Sequence, residues 1–540
     1  MRYVSSLVVV SCLFAQGAMG AEPTAFALDG HGFKVHPALT ARFDSGACLT
    51  KAWVFFTDKG VAQSGLGAAL DEVEAGYDAK ARARRALRRT DPGLFDERDL
   101  PVAGAYRDAV AATGARPHVE SRWVNALSVV GTREQIEQAA ALPFVRAVEP
   151  VRSGPRTVGT GEEVQPGGYG GRGFYGLAEA QLSQINLIAL HGAGLTGQGV
   201  VVGVLDTGFR RDHVAFTNPA KPLVVIAERD FINSDNNTAF QEGDPGDQHH
   251  HGTLILGTLA AYKPDELVGG AFDASYILCK TEDVASETPV EEDNYVAALE
   301  FIELHGGDVA TSSLSYSDWY TAPDYNGVTA VTSIAVNTAT ANGLHVCTAA
   351  GNAGNDGDPG TAHIGAPADA LRVVTCGAVD GAGTITWFSS DGPTADGRVK
   401  PELLALGSAT KTVGYDDTTS YVGASGTSLS TPLVAGAVAC LAGAHPEWTA
   451  DQMRAALLAS ASDFVLNGVS DPLFVRGFGI LNALDAWGGP GCGSADFDGD
   501  GDSGTDLDIE NFFACLGGNC CQGCGSADFD GDGDTGTDMD

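Results

Sequence analysis

The chain has 540 residues, room for several domains, so one small binding module cannot account for it. Hydrophobic residues at 44%, charged residues at 19% and 71 Gly against 23 Pro exclude a disordered or collagen-like polymer. A balance of 32 Lys+Arg against 69 Asp+Glu gives a net charge of −37, which repels nucleic acid and anionic membrane surfaces and excludes nucleic-acid partners.

The charge steps along the chain. Residues 21–152 are balanced, with 17 basic and 17 acidic side chains; residues 153–491 carry −25, and residues 492–540 hold 13 acidic side chains and no basic ones. These steps divide the sequence into a leader at 1–20, a front domain at 21–152, a linker at 153–174, a body at 175–489 and an acidic tail at 492–540.

Arg2, an apolar run over residues 4–14 and Ala18-Met19-Gly20 ahead of Ala21 read as a secretory signal peptide. The run is about half of the ~20 apolar residues a membrane anchor needs. No later segment reads as a bilayer span, so the expectation is a secreted protein, extracellular or associated with the cell surface.

The front domain reads as a small α+β unit: strand over 52–56, helices over 79–89 and 105–112, strand over 124–130, helix over 134–141 opened by Thr132, and strand over 145–151. Arg82, Arg84, Arg85, Arg88 and Arg89 read as a solvated helix face in preference to an anion-binding patch. The charge contrast also suggests that this basic helix faces the acidic body.

The body alternates strands and helices. Strands are expected over 200–205, 276–279, 309–312, 344–349 and 373–379, and helices over 253–261, 295–305, 333–342, 431–442 and 451–458. Such alternation implies an α/β fold, a parallel sheet with helices on both faces, whose active groups gather at the strand carboxyl ends. Cys279, Cys347, Cys376 and Cys440 lie in apolar runs and read as buried thiols, with a Cys347–Cys376 bridge as the alternative.

Three junctions of this body carry unusual polar residues. An apolar strand runs into Asp206-Thr207-Gly208, His251-Gly252-Thr253 opens an apolar helix, and Gly426-Thr427-Ser428 places Ser428 at a helix amino end, where N–H groups favour negative charge. At a fourth junction, Ala349-Ala350-Gly351-Asn352 ends a strand with a side-chain amide. Amide hydrolysis requires a nucleophile, an oriented imidazole and donors for an oxyanion, and these residues supply each.

In the order Asp206, His251, Asn352, Ser428, the strings resemble those of the subtilisin family of serine proteases over residues 175–487. The resemblance implies a subtilisin-like fold with Ser428 as nucleophile, His251 as general base, Asp206 as its orienting carboxylate and Asn352 in the oxyanion hole. It also implies that Ser313, Leu314 and Ser315 pair with the substrate backbone and wall its pocket, with Ala349, Ala350 and Gly351 opposite. Ser315 stands where the family has Gly, which narrows that pocket. The enzyme would act on proteins or peptides without an organic cofactor. The front domain resembles the inhibitory propeptide of this family, which implies a zymogen whose own propeptide occupies the groove and is cut off between Arg152 and Tyr175.

Other readings of these letters fail on context. A second Asp-Thr-Gly at 534–536 would suit an aspartic protease, but no apolar strand precedes it. The order of residues contradicts an α/β-hydrolase. A metal site on His249, His250 and His251 is disfavoured because adjacent side chains diverge. A binding-only relative is disfavoured because all four catalytic groups are present.

The tail repeats one unit, residues 492–508 returning at 524–540. Asp496, Asp498, Asp500 and Asp502, with Gly501 at the turn and Asp508 one place late, fit an EF-hand loop, as do Asp528, Asp530, Asp532, Asp534 and Asp540. The unit resembles dockerin-type repeats, which implies structural Ca2+ and a surface or scaffold partner. Disulfides among Cys492, Cys515, Cys520, Cys521 and Cys524 would suit an exported tail.

Overall fold

A computed structural model of the chain describes residues 34–152, 162–164, 173–284 and 292–488. The leader, most of the linker and the whole tail, with its acidic ligands and cysteines, lie outside these residues.

The front domain is a four-stranded antiparallel sheet, β1 (Thr50–Phe56), β2 (Arg116–Ser121), β3 (Ala126–Gly131) and β4 (Val145–Pro150), in the order β2-β3-β1-β4. One face packs on the helices Pro37–Asp44, Gly104–Ala111 and Arg133–Ala140, through Leu39, Val54, Val110 and Ile136. The other, with Trp53 and Phe55, joins a core shared with the body. Thr132 caps its helix as expected, accepting from the Gln135 N–H in a capping box. Strand β2 and the helices Pro37–Asp44 and Leu66–Gly76 were not anticipated; the last has no buried residue, although Leu66, Leu70 and Val73 stand at helical spacing.

The body is built on seven parallel strands: β5 (Val201–Asp206), β6 (Val224–Asp230), β7 (Ser275–Lys280), β8 (Val309–Ser312), β9 (His345–Ala349), β10 (Val374–Val379) and β11 (Leu403–Leu406). Their order is β11-β10-β9-β8-β5-β7-β6. The chain first builds outward from β5 to one side and then returns to β8 on the other, so a crevice opens between the carboxyl ends of β5 and β8. The helices His250–Ala260 and Thr427–Ala444 cover one face, and Glu292–Leu304 and Val331–Ala341 the other. Thr427–Ala444 has the length and apolar character of a membrane span, contrary to the expectation that no such segment follows the leader, but it is buried as the central helix of the core. Cys347 and Cys376 are free buried thiols, so the bridge alternative fails; β9 and β10 pair Cys376 with Ala349 instead.

The arginine helix Ala79–Arg88 corrects the solvated-face expectation. Arg84, Arg85 and Arg88 are buried because the acidic body supplies their partners. Glu303 receives Arg84, Arg85 at 2.8 Å and Arg122 at 3.1 Å, while Lys80 meets Asp308 at 2.7 Å. Arg88 donates to the Pro446 carbonyl at 2.6 Å. The front domain therefore reaches under the amino edge of the large sheet. Its own sheet lies along the acidic helix Glu292–Leu304, where Lys51 meets Asp293 at 2.8 Å, Trp53 donates to Glu292 at 3.0 Å and Ser121 to Glu300 at 2.6 Å.

Candidate active site

Asp206 is the last residue of β5 and fully buried. Its Oδ1 accepts from the Thr207 N–H at 2.7 Å and meets His251 Nδ1 at 2.8 Å. Its Oδ2 is buried without a hydrogen bond among the described residues. A carboxylate only accepts, so the His251 proton sits on Nδ1 and the lone pair on Nε2, the state a general base requires.

The helix His250–Ala260 can seat its first turn against the tip of β5 because residue 252 is Gly. A Cβ there would lie 2.2 Å from the Gly208 carbonyl oxygen. Thr207 Oγ1 accepts from the Gly252 N–H at 3.1 Å, and Thr253 Oγ1 donates to the His249 carbonyl at 2.6 Å. The His-Gly-Thr string is thus a fitted joint that aims one imidazole at Asp206. The neighbouring histidines do not reach Asp206: His249 Nε2 donates to the Tyr415 carbonyl at 3.1 Å, and His250, which lines the cleft, stacks on the Tyr415 ring with centroids 4.0 Å apart. Burial lowers the pKa of both.

Ser428 lies in the first turn of the helix Thr427–Ala444, where backbone N–H groups have no helical acceptor. Its Oγ contacts the Ser313 carbonyl at 3.4 Å, and Ser313 Oγ donates to the Ser428 carbonyl at 2.8 Å, tying β8 to this turn. Gly426 enters the helix at φ 150° and ψ 158°, a conformation closed to side-chain-bearing residues. A Cβ at that point would stand 3.5 Å from Asn352 Nδ2 and 3.6 Å from the Ser428 nitrogen, so the two donors flank one place. The amide's orientation is fixed: Asn352 Oδ1 accepts from the Thr427 N–H at 2.9 Å and from its hydroxyl at 3.0 Å, which leaves Nδ2 as the donor end.

His251, Asn352 and Ser428 line one cleft of about 280 Å³, with Asp206 behind His251. Ser313, Leu314, Ser315 and Gly351 wall it, and Ala349 contributes. Ala350 does not line it, being fully buried with its N–H bonded to the Cys376 carbonyl at 3.0 Å. Ser315 Oγ packs against Gly365, standing 2.1 Å from where a Cβ of that residue would be.

The structure adds cleft residues that sequence reasoning missed: Thr207, Asp247, Glu282, His363 and Gly365. Glu282 stands two residues beyond the carboxyl end of β7, the type of junction that revealed Asp206, and the same rule would have found it. At the far wall, Asp356, His363 and Asp391 place one ligand atom each within 4.8 Å of one another. Each is already bonded, His363 Nδ1 to Asp391 at 2.6 Å and Asp356 to the Thr361 hydroxyl at 2.9 Å.

Comparison with known proteins places this geometry. Residues 197–480 match the model described as Subtilase family, and residues 51–162 match the Peptidase S8 propeptide domain of Bacteroidota. Subtilisin E of Bacillus subtilis (strain 168) is 29% identical over 381 residues, 70% of this chain and 85% of that protein. A subtilisin of Bacillus pumilus is 31% identical over 306 residues, 56% of this chain and 97% of its own length. Among solved structures, fervidolysin from Fervidobacterium pennivorans, a keratinolytic enzyme related to subtilisin, shares the fold at TM-score 0.56 and 21% identity, covering 82% of this chain and 61% of that one.

Proposed function

Because this chain belongs to the subtilase family and is a serine endopeptidase with a propeptide domain, we propose that Ser428 is its nucleophile, His251 its general base and Asp206 the carboxylate that orients the imidazole. Ser428 Oγ attacks the scissile carbonyl carbon as His251 Nε2 takes its proton, and the same proton goes to the leaving amine when the C–N bond breaks. A water then attacks the acyl-enzyme by the same proton path. Asp206 keeps the resting proton on Nδ1 and offsets the imidazolium charge. The Asn352 amide and the Ser428 N–H receive the oxyanion.

The 2.8 Å hydrogen bond from His251 to Asp206, in a cleft that Ser428 and Asn352 also line, carries this reading. In it, substrate backbone runs along Ser313, Leu314 and Ser315 and across Ala349 and Gly351. A fluorophosphonate tests it: one adduct on Ser428, absent in His251→Ala, is the expected result, and an unlabelled Ser428 in folded mature protein would refute it.

The front domain, taken as residues 21–152, assists folding, fills the groove with its C-terminal end and is cut off between Arg152 and Tyr175. The leader sends the chain out of the cell. In the tail, carboxylate pairs such as Asp496 and Asp498 would hold a structural Ca2+ in an EF-hand-like loop, and the tail would anchor the enzyme to a surface or scaffold. Ca2+ should protect the tail of the full-length chain from limited proteolysis; equal cleavage with and without chelator would end that part.

A further inference from the structure

We infer that Glu282 selects a basic side chain of the substrate, so that this endopeptidase favours peptides with Arg or Lys near the scissile bond. The inference rests on the serine-protease reading above and deepens it.

Glu282 lines the cleft and is 4% exposed. Its Oε1 accepts from the Tyr316 hydroxyl at 2.9 Å and the Thr281 hydroxyl at 3.2 Å. Two neutral donors hold the carboxylate in place, and no lysine, arginine or histidine lies within ion-pair distance among the described residues. The nearest cations by sequence and place are committed elsewhere. Lys280 is paired with Asp230 at 3.0 Å and Asp244 at 2.8 Å, and His251 with Asp206. No lysine or arginine lines the cleft, while Asp247 adds a second negative charge at its rim.

A buried carboxylate without a cation is costly, and several elsewhere in this protein are paired, while Asp369 and Glu292 rest on neutral donors alone. Glu303 meets three arginines, Asp293 meets Lys51, and Glu402 meets Lys400 and Arg454. Tyr316 and Thr281 both bond Oε1, and among the described residues the side of Glu282 left open is the one that lines the cleft. The sheet order sets the distance from the reaction. Glu282 follows β7, and Asn352 follows β9, with β5 and β8 between. The selected side chain therefore lies toward the end of the cleft remote from the oxyanion donors. Arg is the better fit to a held carboxylate because its guanidinium donates two parallel bonds.

The test uses mature enzyme and a set of peptides in which each position around the cleaved bond carries in turn Arg, Lys, Gln or Leu. Active sites are counted by fluorophosphonate on Ser428. The expected result is a kcat/KM about tenfold higher for Arg or Lys over Gln at one position, expressed in KM and weakened by salt. In Glu282→Gln, which keeps an oxygen for Tyr316, that ratio should fall to within about threefold, and Glu282→Asp should keep most of it. A full active-site count with no basic preference, or a preference that survives Glu282→Gln, overturns this inference alone. Absence of the adduct overturns the protease reading beneath it.

Discussion

Two regions of this molecule bury carboxylates, and they treat them in opposite ways. Along the acidic helix and the amino edge of the sheet, Glu303, Asp293 and Asp308 are met by Arg84, Arg85, Arg122, Lys51 and Lys80 of the propeptide domain. In the cleft, Asp206 is met by an imidazole and Glu282 by two hydroxyls. The first region uses its charges within the chain and gains a docked domain. The second leaves its charges to a reaction and to a ligand. Burial alone does not mark a functional acid, since Asp369 and Glu292 are buried on neutral donors away from the cleft; Glu282 differs from them in lining it.

If the contrast holds, cleft substitutions should change turnover and leave docking intact, and interface substitutions the reverse. Ser428→Ala should show the largest effect, a loss of turnover of about 10⁶-fold, the size known for a subtilisin, with the domain still bound. Burst titration and size-exclusion chromatography read the two halves separately. Glu303→Gln should weaken docking by about 3–5 kcal/mol, since it leaves buried arginines without their carboxylate, while any mature enzyme that forms has an unaltered kcat. Refolding yield measures the first and active-site-normalised rates the second.

Asn352→Ala should lower kcat by about 10²–10³ with little change in melting temperature, as one oxyanion donor is lost. Normal activity would break the assignment of that amide.

The smallest effect expected is on pH. His345 starts β9 with neither ring nitrogen bonded among the described residues, and burial, then Arg88 and Arg84, hold its pKa well below the usual histidine range. Docking that needs the neutral ring is intact above the free histidine pKa of about 6.5 and is lost progressively as pH falls below it. Glu292 acts in the opposite sense: burial pushes it up to about 7, so its contribution is present at low pH and is lost as pH rises through 7. His345→Gln should therefore make the bound domain hold better at pH 5 than the native chain does, by a few-fold in dissociation rate. Equal rates at pH 5 would remove His345 from the comparison.

Much of this was legible beforehand because strand-to-helix junctions have a strong pattern. β5 is an unbroken apolar run ending in Asp206, and Gly252 and Gly426 are required by a close approach and by a positive φ. The charge contrast rightly turned the helix Ala79–Arg88 toward the acidic body, but its arginines were read as solvated since their partners, Glu303 and Asp308, lie more than 200 residues away, and local spacing cannot distinguish water from a distant carboxylate. Glu282 was passed over because no motif surrounds it. Ala350 was carried along with its neighbours, though strand alternation turns it inward.

The position of the arginine helix beneath the sheet has a kinetic consequence. Severing a peptide bond between Arg152 and Tyr175 touches none of the contacts at Glu303, Asp308 or Pro446. If the proposed cut is made there, the clipped molecule would stay a single particle, and proteolysis would begin only after the severed piece dissociates or is itself digested. Preparations should show a lag before hydrolysis even when every chain has already been cut.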